Sequence, residues 1–263
     1  MKILLSNDDG IDAPGLRALA DVLRPHARLF IAAPAMEQSA VGHAITIHAP
    51  LKVSERHHGG TLFGYAVNGT PADCVKLALC SLMPAKPDFL VSGINLGANL
   101  GTDIIYSGTV SAATEGAMLG VPSIAVSVAS YEQTARFDTA AQVVLELLEA
   151  MPRLALPHGT LLNVNVPNLP RAAIRGMRLT AQGRTKYIES YVKRKDPRGN
   201  TYYWIAGELV EMDAAKDVDF VAVKNGYVSV TPVHFDVTNR ACLRRIRATA
   251  ERILNRQGRH ARA

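Results

Sequence analysis

The first residues able to do chemistry are Asp8 and Asp9, neighbours in the run Ile3-Leu4-Leu5-Ser6-Asn7-Asp8-Asp9-Gly10. Two ionised carboxylates in one small space raise a pKa unless a cation lies between them. A hard divalent cation takes oxygen ligands of this kind. The competing reading has one Asp capping the next helix and the other solvated; placement directly after a first strand favours the metal. A second candidate is Ser92-Gly93-Ile94-Asn95-Leu96-Gly97-Ala98-Asn99-Leu100-Gly101. Its GxxxGxxxG spacing is neither the GxGxxG of dinucleotide sites nor a P-loop, since no Gly-Lys-Ser/Thr closes it. Glycines let backbone approach a ligand closely, and the Asn95 amide oxygen is an acceptable hard-metal ligand. Third comes Tyr106-Ser107-Gly108-Thr109. Hydroxyls and free N–H groups at a helix start form a natural phosphate cradle, and ordinary N-capping is compatible with that use.

The elements that must position these residues alternate between strand and helix. Lys2–Ser6 reads as a strand, and Leu16, Leu19, Ala20 and Leu23 share one helical face. Strands are predicted at Arg28–Ala33, Thr61–Val67, Phe89–Val91, Ile124–Val128 and Leu161–Val166. Helices are predicted over 109–119 and Thr139–Glu149, and another opens at Thr70 as N-cap, with Pro71 at its first position and Asp73 in its first turn. Such alternation indicates a Rossmann-like, mostly parallel α/β sheet flanked by helices. Ligands bind beyond the carboxyl ends of the strands in such sheets, where loops 7–10 and 93–108 both fall. Residues 177–207 are basic and aromatic around an Asp196–Asn200 turn, which predicts an extended β-hairpin. Two strands alone are marginally stable, so the hairpin is expected to pack on another subunit or arch over the site. The whole is read as a single domain over 1–263, with its core at about 1–170 and 215–238 and a basic C-terminal helix at about 239–256.

Composition limits the function classes. Of the 263 residues, 48% are apolar and 20% charged, the balance of a globular protein with a real core. No apolar run approaches the roughly 20 residues of a membrane span, and Met1-Lys2 leads straight into the first strand without a signal-peptide pattern. Three cysteines, Cys74, Cys80 and Cys242, contain no CxxC pair. A cytoplasmic setting without disulfides is therefore expected. The formal charge of +6 is local: residues 240–263 carry eight Arg and one Glu, which leaves 1–239 at −1. A charge run of this kind is ordinarily a solvated face, so nucleic acid is not the expected partner. His43, His48, His57, His58 and His234 lack metal-ligand spacing, and no GxSxG elbow is present.

Taken together, these blocks resemble the SurE family, the survival-protein 5′/3′-nucleotidases. The resemblance rests on Ile3–Gly10, Gln38-Ser39-Ala40-Val41-Gly42-His43-Ala44-Ile45-Thr46, Asn68–Val75, Ser92–Asn95 with Gly97 and Asn99, Tyr106–Val110 continuing to Gly116, and Asp217–Ala222 with Gly226–Pro232. It implies a divalent cation in each subunit, Mg²⁺ or Mn²⁺ in solution with Ca²⁺ also able to fill the site in crystals, held by Asp8, Asp9, Ser39 and Asn95. It further implies phosphate contacts from Asn95, Ser107, Gly108 and Thr109, and catalytic roles for Asp8 and Asp9. Hydrolysis of nucleoside 5′- and 3′-monophosphates, some action on short polyphosphate, a swapped C-terminal or hairpin element and a homodimer or homotetramer follow from the same resemblance. Ser39 enters only in this way; by itself it reads as a turn or cap. Two positions depart from the family pattern: Ser111 stands where Gly is common, and Gln38 where a basic residue precedes the metal-site serine.

Rival readings remain defined. Asp8 as a covalent nucleophile would leave ¹⁸O from solvent in its carboxylate after single-turnover hydrolysis. The phosphatases of that type brought into comparison carry an acid two positions on, where this chain has Gly10. A nucleic-acid binder would use the Arg-rich tail and the basic hairpin and would lose affinity on removal of 256–263. A dinucleotide-dependent oxidoreductase lacks its fingerprint here.

Overall fold

Alternation along the first strand divides the core in two. Ile3 and Leu5 enter one buried cluster with residues of the first and fourth helices, while Leu4 enters another with residues of the second and third. The structure is a computed structural model and describes residues 1–132, 134–247 and 249–250. In chain order its elements are β1 (Lys2–Ser6), α1 (Pro14–Leu23), β2 (Arg28–Pro34), β3 (Val53–His58), β4 (Thr61–Val67), α2 (Pro71–Leu77), β5 (Phe89–Leu96), α3 (Gly108–Met118), β6 (Ser123–Ala129) and α4 (Phe137–Leu154). There follow β7 (Thr160–Pro167), β8 (Met177–Leu179), β9 (Thr185–Lys195), β10 (Thr201–Glu211), α5 (Asp219–Lys224) and β11 (Val228–His234).

Nine strands make one sheet in the order β3-β4-β2-β1-β5-β6-β7-β11-β8. Pairs β1/β2, β1/β5, β2/β4, β5/β6, β6/β7 and β11/β8 are parallel, and β3/β4 is antiparallel. Helices α1 and α4 pack together, as do α2 and α3. This is the Rossmann-like architecture read from the sequence. Strand order reverses between β1 and β5, which creates a crevice at their carboxyl ends. The capping of α2 is as expected: Thr70 accepts from Asp73 N and Asp73 accepts from Thr70 N, a closed capping box.

Two of the differences from the expected boundaries have a plain physical reason. The glycine-rich segment 93–108 is not all loop, because β5 runs on to Leu96. Gly93 takes φ +133°, and a Cβ there would lie 2.2 Å from the Val126 carbonyl oxygen. Glycine alone allows the strand to shift register between Ser92 and Asn95 and resume pairing, Asn95 opposite Ser127. The hairpin spans 185–211 rather than 177–207. Pairing is symmetric about the turn, so starting β9 at Thr185 requires β10 to reach Glu211. Met177–Leu179 instead pairs with β11 in the main sheet, Met177 opposite Val228.

By compactness Met1–Val233 forms one unit and the chain from His234 a second. In the second, residues 240–247 are helical, while 251–263, with the basic positions Arg252, Arg256, Arg259 and Arg262, lie outside the described residues. No helix among the described residues is long and apolar enough to cross a membrane.

Candidate metal and phosphate site

The buried strand β1 delivers Asn7-Asp8-Asp9-Gly10 to the crevice. Asn7 Nδ2 donates to the Gly10 carbonyl at 2.8 Å and Gln38 N to the Asp8 carbonyl at 2.8 Å, so the turn is fixed from within and from the β2 side. Its neighbour β5 delivers Asn95, and Leu96 N points at Asp9 Oδ2, 3.4 Å away. One cavity of about 820 Å³ therefore collects Asp8, Asp9, Ser39, Asn95 and Ser107, and Glu37 with them.

Asp8 is only 5% exposed and would be costly to ionise there without donors. The start of α3 supplies them. Both the Thr109 hydroxyl and the Thr109 backbone N–H donate to its carboxylate. Close approach depends on Gly108, where a Cβ would fall 2.8 Å from Asp8 Cβ and 3.1 Å from Pro71 Cγ. The group held by this helix start is thus the Asp8 carboxyl.

That arrangement gives one member of the expected phosphate cradle a partner within the chain. Thr109 is fully buried, its hydroxyl is spent on Asp8, and neither it nor Gly108 lines the cavity. Ser107 does line it. Its Oγ accepts from Val110 N at 3.1 Å, which leaves the hydroxyl proton for an anion. Ser111, the departure from the family pattern, donates to the Ser107 carbonyl at 2.7 Å and so backs the same turn.

Burial is the first cause that raises the Asp8 carboxyl, against the hydrogen bonds from Thr109. Asp9 is pushed from the ordinary 3.8 up to about 7, first by burial and then by the charge of Asp8, with Glu37 adding repulsion. No Lys or Arg lines the cavity among the described residues. The donors are all oxygen. Asn95 Nδ2 donates to the Gly97 carbonyl at 2.7 Å, which turns its Oδ1 away from that carbonyl. Ser39 donates to Glu37 Oε1 at 2.6 Å and keeps its lone pairs. Among the described residues no cluster of three or more His, Cys, Asp and Glu side chains is poised for a metal. A cation here would therefore rest on two carboxylates completed by neutral oxygens. Carboxylates crowded without a positive partner, beside an amide and a hydroxyl oxygen, fit a hard divalent cation.

Sequence reasoning missed Glu37, although it stands two residues before Ser39. It also did not single out Tyr131, Asp103 and Tyr187. Tyr187 and Ile205–Gly207 come from the hairpin, which arches over the cavity as one of its two expected placements. The hairpin is tied at its base: Tyr187 OH donates to Asp103 Oδ1 at 3.1 Å and Thr102 N to Thr185 Oγ1 at 3.0 Å. Below these, buried Asp219 accepts from Gly101 N at 2.8 Å and Gly183 N at 3.1 Å.

Fold and site together define a class: an open α/β protein with a cluster of oxygen-bearing side chains and a helix start at its switch point. The model of the family described as "Survival protein SurE" matches residues 3–189. A crystal structure of the SurE protein from Aquifex aeolicus superposes with a TM-score of 0.81 at 42% identity, covering 95% of this chain and all of that one. Two relatives named 5′-nucleotidase SurE are each 50% identical. The one from Heliobacterium modesticaldum covers 94% of this chain and 90% of its own length; that from Pelotomaculum thermopropionicum covers 98% and 99%. The chain belongs to the SurE family.

Proton linkage at Asp9 has a definite sign. Between about pH 4 and 7 the folded, metal-free protein keeps a proton that the unfolded chain has lost, so stability falls as pH rises through that window. In chelator, the Tm of the wild-type protein is expected to drop between pH 5 and pH 8, and Asp9→Asn to flatten the drop. An Asp9→Asn profile parallel to wild type would contradict the crowding of the pair.

Proposed function

We propose that this chain is a divalent-cation-dependent nucleotidase that hydrolyses nucleoside 5′- and 3′-monophosphates to nucleoside and phosphate, with Mg²⁺ or Mn²⁺ as its cation. The observation that carries the reading is the meeting of Asp8, Asp9 and Asn95 in one cavity at the switch point, in a chain half identical to proteins named as 5′-nucleotidases. Short polyphosphate, which ends in the same phosphoryl group, is a further candidate substrate.

A cation at this site supplies electrophilic stabilisation of the charge on the phosphoryl oxygens. Asp8, Asp9, Asn95 and Ser39 are the residues that would hold it. Thr109 aims the Asp8 carboxyl and its hydrogen bonds oppose the effect of burial on it, and Gly108 permits the approach. The Ser107 hydroxyl is placed to donate to a phosphoryl oxygen as charge redistributes in the transition state. Asp9 is less buried than Asp8 and receives one long hydrogen bond, so it is the carboxylate freer to orient the attacking water. Water oxygen bonds to phosphorus, the ester P–O bond breaks, and the nucleoside leaves as its alcohol.

Asp8→Asn and Asp9→Asn should each lower phosphate release by at least about a hundredfold, the scale of removing charge that stabilises the transition state. Circular dichroism should stay unchanged, and chelator should silence the wild-type enzyme until Mg²⁺ or Mn²⁺ is restored. Near wild-type turnover in both variants would refute the assignment.

A homodimer or homotetramer completes the proposal. The hairpin exposes Ile188, Tyr191, Tyr203 and Trp204 at 58–63% on a two-stranded sheet, more apolar surface than such a ribbon ordinarily leaves to water. Tyr191→Glu combined with Trp204→Glu should move the protein toward monomer on a sizing column; an unchanged elution volume would reject the hairpin as an interface. The free thiols of Cys74, Cys80 and Cys242 accord with a cytoplasmic setting.

A further inference from the structure

Beside its oxygen donors, the cavity has a second kind of wall that phosphate chemistry does not use. Tyr131 lines it, is 83% exposed and has one neighbour that leaves room for it. One side of the ring comes against Gly97, where a Cβ would fall 2.7 Å from Cε1 and 3.3 Å from Cδ1. Gly97 takes φ +112°, so a side chain there would be both strained and in collision. Gly97 is also the residue whose carbonyl accepts from Asn95 Nδ2 at 2.7 Å, which puts the aromatic ring two residues from a candidate cation ligand.

Other aromatic and apolar groups gather on the same cavity. Tyr187, tethered by its hydroxyl to Asp103 at 3.1 Å, and Ile205, 71% exposed, reach it from the hairpin. The Tyr131 phenol is near enough to help raise that of Tyr187, after burial and Asp103. Among the described residues Tyr131 has no hydrogen bond and no stacked ring as partner. A large aromatic side chain left mostly open at the wall of a cavity has binding as its physical use.

We propose that Tyr131, braced on Gly97, is the stacking platform for the nucleobase of the substrate, with Tyr187 and Ile205 closing the same wall. This rests on the nucleotidase reading and deepens it: the site would select phosphate monoesters that carry a planar aromatic base over those that do not. Every base has a π-face, so such a platform favours bases as a class rather than one of them.

The test compares kcat/KM for adenosine 5′-monophosphate and for ribose 5-phosphate, which has a free anomeric hydroxyl where the nucleotide carries adenine, using the full chain with Mn²⁺ or Mg²⁺. In Tyr131→Ala the ratio of the two should fall by roughly tenfold or more, within the range that loss of one base–aromatic stack gives. Tyr131→Phe, which keeps the ring, should restore it. A variant that merely disturbs the fold would lower both substrates together and leave the ratio standing. If adenosine 5′-monophosphate is hydrolysed and the ratio in Tyr131→Ala equals that of wild type, the platform is wrong while the nucleotidase stands. If the wild-type protein releases phosphate from neither compound, the nucleotidase reading fails and takes the platform with it.

Discussion

Asp8 and Asp9 repel each other at the mouth of a crevice where water is partly excluded, and much of the surrounding structure answers that repulsion. Asp8 is held by the start of α3, through the Thr109 hydroxyl and N–H. Asp9 has only a long contact to Leu96 N and is pushed up to about 7. The asymmetry divides the labour of the pair. One carboxyl is held by fixed donors, and the other has only one long contact within the chain to set against the repulsion. The glycines follow from the same constraint: Gly108 lets helix and carboxylate meet, and Gly93 lets β5 bend and carry Asn95 to the same edge.

Much of the sheet was legible in the sequence, since buried parallel strands are short apolar runs and their helices carry clear apolar faces. Lys2–Ser6 and Thr61–Val67 appear with the bounds expected of them. The antiparallel edge strand Val53–His58 was not legible, because Val-Ser-Glu-Arg-His-His has no apolar period to betray it and lies largely in solvent. Nor was the continuation of β5 past Gly93, where local chemistry signals a turn and only the long-range pairing with β6 overrides it.

The site was legible unevenly. Asp8, Asp9 and Asn95 declare themselves by residue type and by following strands. Ser39 gains a meaning from family resemblance, and the structure brings it to the same cavity on an irregular segment. For Thr109 a hydroxyl at a helix start has two uses that the sequence cannot separate, and the contact with Asp8 that the structure adds is to a residue 101 positions away. Tyr131 carried no motif at all. Its significance comes from Gly97 behind it and the hairpin across the cavity, which are matters of three-dimensional proximity.

Cation capture by neutral oxygens acting with this strained acidic pair is the central claim, and calorimetric titration at pH 8 tests it most directly. Mn²⁺ added to the wild-type protein should bind at about one ion per chain, as a hard oxygen site predicts, and Asn95→Ala should weaken binding at least roughly tenfold without lowering the Tm of the metal-free protein. Equal affinity in wild type and Asn95→Ala, or no binding to the wild-type protein at all, would contradict the account.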